Sequence, residues 1–286
     1  LIGQFDNIDI VGFHGQTLNH NPAKGCTFQL GDGANLASRT GIKTAWDFRT
    51  TDMKNGGQGA PLAPFFHFAC ALWAGIKEPV AFLNLGGLAN VTLVDPNKVS
   101  PEIDGAILAF DTGPANAPLN DLMKTRMNQF YDRNGALAAK GTANEFILKR
   151  IVQHPFFSQK PPKSLDRHDF HYALDLVKKL KDEDAASTLT ALPAACVAAS
   201  QCHLPIQPRN WFVSGGGAQN PTLMNELKKR LSGRVAPVES IGLASDMIEA
   251  QAFAFLAVRT LRGLPLSAPS TTGIAVPTKG GQIAIP

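Results

Sequence analysis

Cysteine is sparse and unpaired in this sequence: Cys26, Cys70, Cys196 and Cys202 share no CxxC spacing, and no His stands at zinc-ligand distance from them. A metal knuckle and a disulfide framework are thereby excluded, and four buried, reduced thiols are the expectation. Charge is also thin. Only 17% of residues are charged, the net charge is +4, and no run of Lys or Arg is interleaved with aromatics. Such a chain has no footprint for nucleic acid or a membrane surface, though an anionic small-molecule substrate remains compatible. No apolar run reaches the ~20 residues that span a bilayer, and no signal peptide opens the chain, so a cytoplasmic protein is expected. Low-complexity segments and short-period repeats are missing as well. With 286 residues, 44% of them hydrophobic, the chain holds enough apolar surface for one large or two medium domains.

Glycine is where the sequence becomes specific. Phe82-Leu83-Asn84-Leu85-Gly86-Gly87-Leu88-Ala89-Asn90-Val91-Thr92-Leu93-Val94 reads as two apolar strands joined by a Gly-Gly turn. A turn of that kind exposes backbone N–H groups with no side chains in the way, as a phosphate-cradling hairpin requires. A second cluster, Val213-Ser214-Gly215-Gly216-Gly217-Ala218-Gln219-Asn220, closes an apolar strand and opens a helix over 221–231. Between the two lies Phe110-Asp111-Thr112-Gly113-Pro114-Ala115-Asn116, a strand end with a carboxylate at a turn. Each feature has an ordinary reading: a tight turn, a linker or close-packing device, a capping Asp. Their order suggests a nucleotide site with a catalytic base.

The rest of the chain alternates strands and helices, an α/β pattern. A short buried strand is expected over 9–13, ending in His14-Gly15-Gln16-Thr17, and another over 27–31. A helix over 61–73 opens with proline and closes at Gly75. After Lys77-Glu78-Pro79, read as a hinge, come the hairpin 80–94, a strand over 106–110, a helix over 117–130 and an amphipathic helix over 145–152. A proline-rich loop over 155–163 precedes a helix over 182–200, in which Pro193 is a candidate break. The last long helix is expected from Ser245, as N-cap, to Arg262, stopped by Gly263 and Pro265. The division that follows is a first domain over 1–79, joined by the tail 268–286, and a second over 80–267.

His14-Gly15-Gln16-Thr17, Gln29-Leu30-Gly31-Asp32, Asp47-Phe48-Arg49, Gly56-Gly57-Gln58-Gly59-Ala60-Pro61-Leu62, Asn84-Leu85-Gly86-Gly87-Leu88-Ala89-Asn90, Phe110-Asp111-Thr112-Gly113-Pro114 and Ser214-Gly215-Gly216-Gly217-Ala218 occur in one order, continuing through Pro161-Pro162-Lys163-Ser164. In this the chain resembles the anhydro-N-acetylmuramic acid kinases. The resemblance implies the two-domain actin, hexokinase and Hsp70 fold (ribonuclease H-like), hinged around an ATP cleft, and a homodimer. It also implies an ATP- and Mg2+-dependent reaction that opens 1,6-anhydro-N-acetylmuramic acid with water. The sugar is phosphorylated on O6, giving N-acetylmuramate 6-phosphate during peptidoglycan recycling.

Roles follow from that chemistry. Water driven at the anomeric carbon needs a carboxylate as general base, and Asp111 matches the family's position. The sugar's lactyl carboxylate calls for a cation in fork geometry, which Arg49 supplies. His14 matches a sugar-contacting His, and Asp47 and Glu249 are further substrate candidates; Asp47 serves equally as a turn cap and Glu249 as a solvated charge. Asn84, Gly86, Gly87, Asn90 and Thr92 resemble the second phosphate loop, and Gly215, Gly216 and Gly217 the adenosine contact. No metal ligand is assigned, since magnesium on ATP is held largely by phosphates and water.

One family feature has no match. An N-terminal phosphate loop of the form Gly-Thr-Ser-x-Asp-Gly is absent, and the chain starts at Leu1, without Met, before what the resemblance makes the fourth strand of the first domain. The expectation is an incomplete first domain, and a fragment that is inactive and poorly soluble by itself. Two other functions stay open: a kinase of the same fold for another sugar or acid, which would alter Arg49 and His14, and a catalytically inactive nucleotide- or sugar-binding module.

Overall fold

Residues 7–166 and 169–286 are described by a computed structural model, in which the chain forms two compact units. The first comprises residues up to Gly75, Asp95–Leu108 and Asp246–Pro286; the second comprises Ile76–Val94 and Ala109–Ser245.

In the first unit Thr44–Trp46 is the middle strand of a three-stranded sheet. Val11–Gly12 runs parallel on one side, with Val11 opposite Thr44, and Gln282–Ala284 antiparallel on the other, with Ile283 opposite Ala45. The buried strand expected over 9–13 is thus two residues long and half-buried. It has one neighbour among the described residues, whose Lys43 and Ala45 carbonyls accept the Val11 and Phe13 N–H groups. A separate hairpin pairs Gln16–Asn21 with Cys26–Leu30 around the Pro22–Lys24 turn, capped by the Asn21 side chain.

Helix Ile248–Leu261 belongs to this first unit, not to the second as expected, and so does 95–108. The physical reason is its apolar face: Ile248, Ala252, Leu256 and Ala257 are buried, and the helix packs on Val11–Gly12, Thr44–Trp46 and helix Pro64–Trp73. On the same helix Arg259 donates to Glu102 at 3.0 Å and stands over the Phe65 ring at 5.0 Å. Ser245 does not cap this helix. It opens a 3-10 turn, Ser245–Met247, and the N-cap is Met247 without a side-chain bond. The tail is fixed by a buried acid, Asp52, whose carboxylate accepts the Gly59 N–H and the Ser267 and Thr272 hydroxyls.

The second unit is built on a five-stranded sheet in the order Ile107–Pro114, Leu88–Val94, Val80–Leu85, Asn210–Ser214, Arg234–Pro237. Val80–Leu85 and Leu88–Val94 form the hairpin, with Asn84 opposite Asn90; Asn210–Ser214 adds in parallel, with Asn84 opposite Ser214. These strands are apolar almost throughout, as sheets buried on both faces require. Helix Asp182–Ser200 is buried nearly all round and touches helices Asn116–Leu122, Glu145–Val152 and Pro221–Arg230. Pro193 does not break it: the helix runs unbroken to Ser200, because packing on several sides outweighs one missing N–H. The helix expected over 117–130 ends earlier. Asn116–Leu122 passes into a wider turn, Met123–Met127, and stops at Asn128 in the left-handed conformation. The strand expected over 106–110 instead reaches Pro114, which carries Asp111 within the sheet.

All four cysteines are free, but only Cys70 and Cys196 are buried; Cys26 is half-buried and Cys202 exposed. No helix among the described residues is long and apolar enough to cross a membrane.

Gly113, at φ +149°, is where helix Asp182–Ser200 meets the strand bearing Asp111, for a Cβ there would stand 2.7 Å from Cys196 Cβ. Gly113→Ala is therefore expected to lower stability by roughly 1–3 kcal/mol through overpacking and backbone strain. Urea denaturation checks this, and an unchanged midpoint would show that the approach is not tight.

Candidate functional site

In the second unit the Gly86-Gly87 turn is stapled from below. Its carbonyls accept N–H groups from Ala115 (2.9 Å), Asn116 (3.0 Å) and Ala117 (3.2 Å), and the Asn116 amide donates to the Leu85 and Gly86 carbonyls at 2.9 and 2.8 Å. Neither glycine has a positive φ, and a Cβ at either would meet nothing nearer than 3.6 Å. Packing and conformation therefore leave the choice of glycine unexplained, which is consistent with a backbone left bare for a ligand's close approach. Asn84 and Asn90 face each other at this end of the hairpin. Thr92, two residues deeper on its strand and opposite Phe82, is 1% exposed and sits in the sheet interior rather than at the turn.

The three glycines of the second cluster have different tasks. Gly215 has φ +78°, and a Cβ there would stand 2.7 Å from Asn84 Oδ1; a Cβ at Gly217 would stand 2.6 Å from Leu85 Cβ. Both are packing glycines that draw the loop onto the end of the central strand. Gly216 alone of the three lines a cavity of 320 Å³, with Asn116, Asn120, Tyr131 and Asn220. Asn220 also caps helix Pro221–Arg230 by accepting the Thr222 and Leu223 N–H groups. With Asn134, Gln219 and Asp132 also in the lining, five amides, a carboxylate and an aromatic surround a bare backbone, a lining that suits a planar heterocycle with donors and acceptors on its edge. Sequence reasoning gave no role to Tyr131 or the amides, though Asn116 and Asn220 close the two motifs that drew attention.

Asp111 stands on the edge strand of this sheet, half-buried. Its own N–H donates to the Lys163 carbonyl at 3.0 Å, and its Oδ2 accepts the Leu165 N–H at 2.9 Å. Burial pushes its carboxyl up from 3.8 to about 6, with the Leu165 hydrogen bond pulling the other way. An acid so poised is ionised at neutral pH yet basic enough to take a proton.

The first unit collects a cationic group. Arg49 donates from Nη1 to the Gly59 carbonyl at 3.2 Å and from Nη2 to His14 Nε2 at 3.1 Å, while its buried Nε has no partner among the described residues. An arginine can only donate, so His14 Nε2 accepts, and the neutral ring carries its proton on Nδ1. His14 stacks on Phe253, with ring centroids 4.1 Å apart. Burial first, then the charges of Arg49 and His20, lower His14 from 6.5 to about 4, so it is a neutral donor at physiological pH. His20, which sequence reasoning passed over, joins this group: it bonds Thr27 Oγ1 at 3.1 Å, and burial and the Arg49 charge lower its pKa. Burial also lowers Arg49, against the charge of Glu249, an exposed residue in the first turn of helix Ile248–Leu261. Asp47 is engaged within the chain at both oxygens, by the Thr50 hydroxyl and by Gln282 Nε2 at 2.8 Å, as a turn cap would be.

The structure thus brings His14, Arg49 and Glu249 into one electrostatic neighbourhood, and Asn84, Asn90, Gly86 and Gly215 around one strand end. The profile of the family described as Anhydro-N-acetylmuramic acid kinase matches residues 4–285. The anhydro-N-acetylmuramic acid kinases of Cereibacter sphaeroides and Roseobacter denitrificans are 54% and 53% identical over 286 residues, which is all of this chain and 77% and 76% of theirs. A solved activator of the 2-hydroxyisocaproyl-CoA dehydratase from Clostridium difficile, with bound ADPNP, aligns over 70% of this chain and 67% of its own at TM-score 0.45 and 16% identity.

The Asp111 shift has a cost in stability. Between pH 3.8 and about 6 the folded state binds more protons at this group than the unfolded state, so its contribution falls as pH rises through that window. His14 acts in the opposite sense, stability rising with pH between about 4 and 6.5. Asp111→Asn keeps an acceptor for Leu165 without the charge, and should stabilise the fold by roughly 2–3 kcal/mol above pH 6 and by little at pH 3.5. Thermal unfolding across pH reads this, and equal melting temperatures for both proteins at pH 7.5 would mean the carboxylate is not strained.

Proposed function

The chain belongs to the anhydro-N-acetylmuramic acid kinase family, and from that premise we propose how its residues divide the family's reaction. The reaction is ATP-dependent: water adds to the anomeric carbon of 1,6-anhydro-N-acetylmuramic acid, the bond from that carbon to O6 breaks, and O6 takes the γ-phosphoryl group as ADP leaves. N-acetylmuramate 6-phosphate is the product, and one proton is released.

Asp111 is the general base that takes the proton from the attacking water. The observation that carries this role is its place on the edge strand of the sheet, half-buried, its carboxylate hydrogen-bonded by one N–H and raised to about 6. The bare Gly86-Gly87 turn, with Asn84 and Asn90, holds ATP phosphates by backbone and amide donors. The cavity at Gly216 takes the adenosine, with Tyr131 as the aromatic surface for the base and Asn116, Asn120 and Asn220 for its edge. Gly215 and Gly217 shape that contact from behind, and Thr92 supports the hairpin from the sheet interior.

In the first unit Arg49 meets the lactyl carboxylate of the sugar. Its guanidinium is fixed in place by Gly59 and His14, which pre-sets the fork and reduces the ordering needed on binding. His14 offers its Nδ1–H to a sugar oxygen. Glu249 faces the same cation and accepts from a sugar hydroxyl, while Asp47 supports the loop that carries Arg49.

No group of three or more His, Cys, Asp or Glu among the described residues is arranged to hold a metal ion. In this reading magnesium comes with ATP, held by its phosphates and water, and neutralises phosphate charge. A cytoplasmic homodimer completes the reading, in keeping with a small soluble sugar as substrate.

Asp111→Asn should reduce turnover by about 10²–10⁴-fold while ADP affinity is retained, because base catalysis alone is removed. In isotopically labelled water the wild-type product should carry the label on its anomeric hydroxyl and none in the phosphate ester bridge. A near-normal rate in the variant would remove Asp111 from its role, and label in the bridge would refute opening of the ring by water.

A further inference from the structure

Lys163 is buried to 6% exposure, an unusual place for a lysine. Its Nζ donates to the Phe156 carbonyl at 3.0 Å and lies 4.4 Å from the Phe156 ring centroid and 5.6 Å from that of Phe110. No carboxylate pairs with it among the described residues, and burial lowers its pKa. An ammonium taken from water at such cost is held by one carbonyl and two aromatic faces.

The loop around it grips Asp111 twice. The Lys163 carbonyl accepts the Asp111 N–H, and two residues later the Leu165 N–H donates to the Asp111 carboxylate. Phe156, to which the ammonium is tied, is 3% exposed in the Pro155–Ser158 turn and packs in a hydrophobic cluster with Phe157, Phe170, Leu189 and Cys196. Side chain, loop and base thus form one mechanical chain from a fixed core residue to a reacting oxygen.

We infer that Lys163 is a positioning residue for Asp111: its ammonium, clamped on Phe156, holds residues 163–165 so that the Leu165 N–H stays on the carboxylate. The catalytic consequence rests on reading Asp111 as the general base, but the mechanical claim does not. Among the described residues, the titratable groups on the elements around Asp111 include Lys160, Lys163, Asp166 and Asp169 on the loop, Cys196 on the helix behind Gly113, and Cys202 and His203 after that helix. The His203 Nε2 is engaged by the Phe157 carbonyl at 2.7 Å, and its ring meets Phe110 edge-on at 6.0 Å.

Lys163→Met keeps the length and apolar stem and removes the clamp. The measurement is the titration of the Asp111 carboxyl by carbon NMR in the full chain, assigned by the signal that Asp111→Asn removes. Loss of the Leu165 hydrogen bond should raise the midpoint by roughly one pH unit, since that bond favours the charged form. Turnover at neutral pH should fall about tenfold with KM for the sugar little changed, a positioning rather than a binding loss. If the methionine variant does not fold, Lys163→Gln, too short to reach the Phe156 carbonyl, is read the same way. An unchanged Asp111 midpoint in a folded variant overturns the inference, whatever happens to turnover. A raised midpoint with unimpaired turnover would uphold the clamp and count against Asp111 as the base.

Discussion

Keeping one carboxylate ionised where water is scarce is the constraint on which the second unit depends. Asp111 stands within the edge strand Ile107–Pro114, and burial raises it to about 6 while a single backbone N–H holds it back from going higher. Left to itself such a group would be removed by selection for stability, because a neutral isostere fits the same space. What surrounds it is organised to hold that conflict in place. Gly113 admits helix Asp182–Ser200 to contact with the strand, the helix packs on three others, and the 163–165 loop closes over the acid. A carboxylate that costs stability and is nonetheless kept in such surroundings is what a proposed chemical role would require.

The same principle, a charge handled by its immediate neighbours, shapes the cationic group of the first unit. Arg49 is fixed by the Gly59 carbonyl and His14, and in turn its charge, after burial, keeps His14 neutral. One arginine therefore both places a positive charge in this unit and sets the tautomer of the histidine beside it. Phe253 holds that histidine by stacking, which explains why helix Ile248–Leu261 belongs with these strands. The architecture is α/β, and the loops singled out are tight turns beside strands, where a backbone can be bared without opening the core.

Much of this was legible in the sequence, and the misses have physical causes. The Gly-Gly hairpin, the strand bearing Asp111 and the helix over 145–152 were readable because apolar alternation and caps are local signals. Pro193 read as a candidate break because a missing N–H is local but the packing that overrides it is not. The place of helix Ile248–Leu261 was misread for a related reason: chain order suggests continuity, while an apolar face goes wherever a complementary face lies. At the site, glycine marked the loops but not the division of labour, since only geometry separates Gly216 at the cavity from Gly215 and Gly217 against Asn84 and Leu85. Asp47 read as a substrate candidate or a turn cap; its carboxylate is engaged by Thr50 and by Gln282, a partner too far away in sequence for any local signal to announce.

The central claim, that burial tunes Asp111 into a base at the cost of stability, is tested most directly by the dependence of kcat/KM on pH in the wild-type protein. The acidic limb should fall tenfold per pH unit with an apparent pKa near the Asp111 value of about 6. A limb with a midpoint close to the ordinary aspartate value of about 4 would contradict the account, for it would mean that the reacting base is exposed to water.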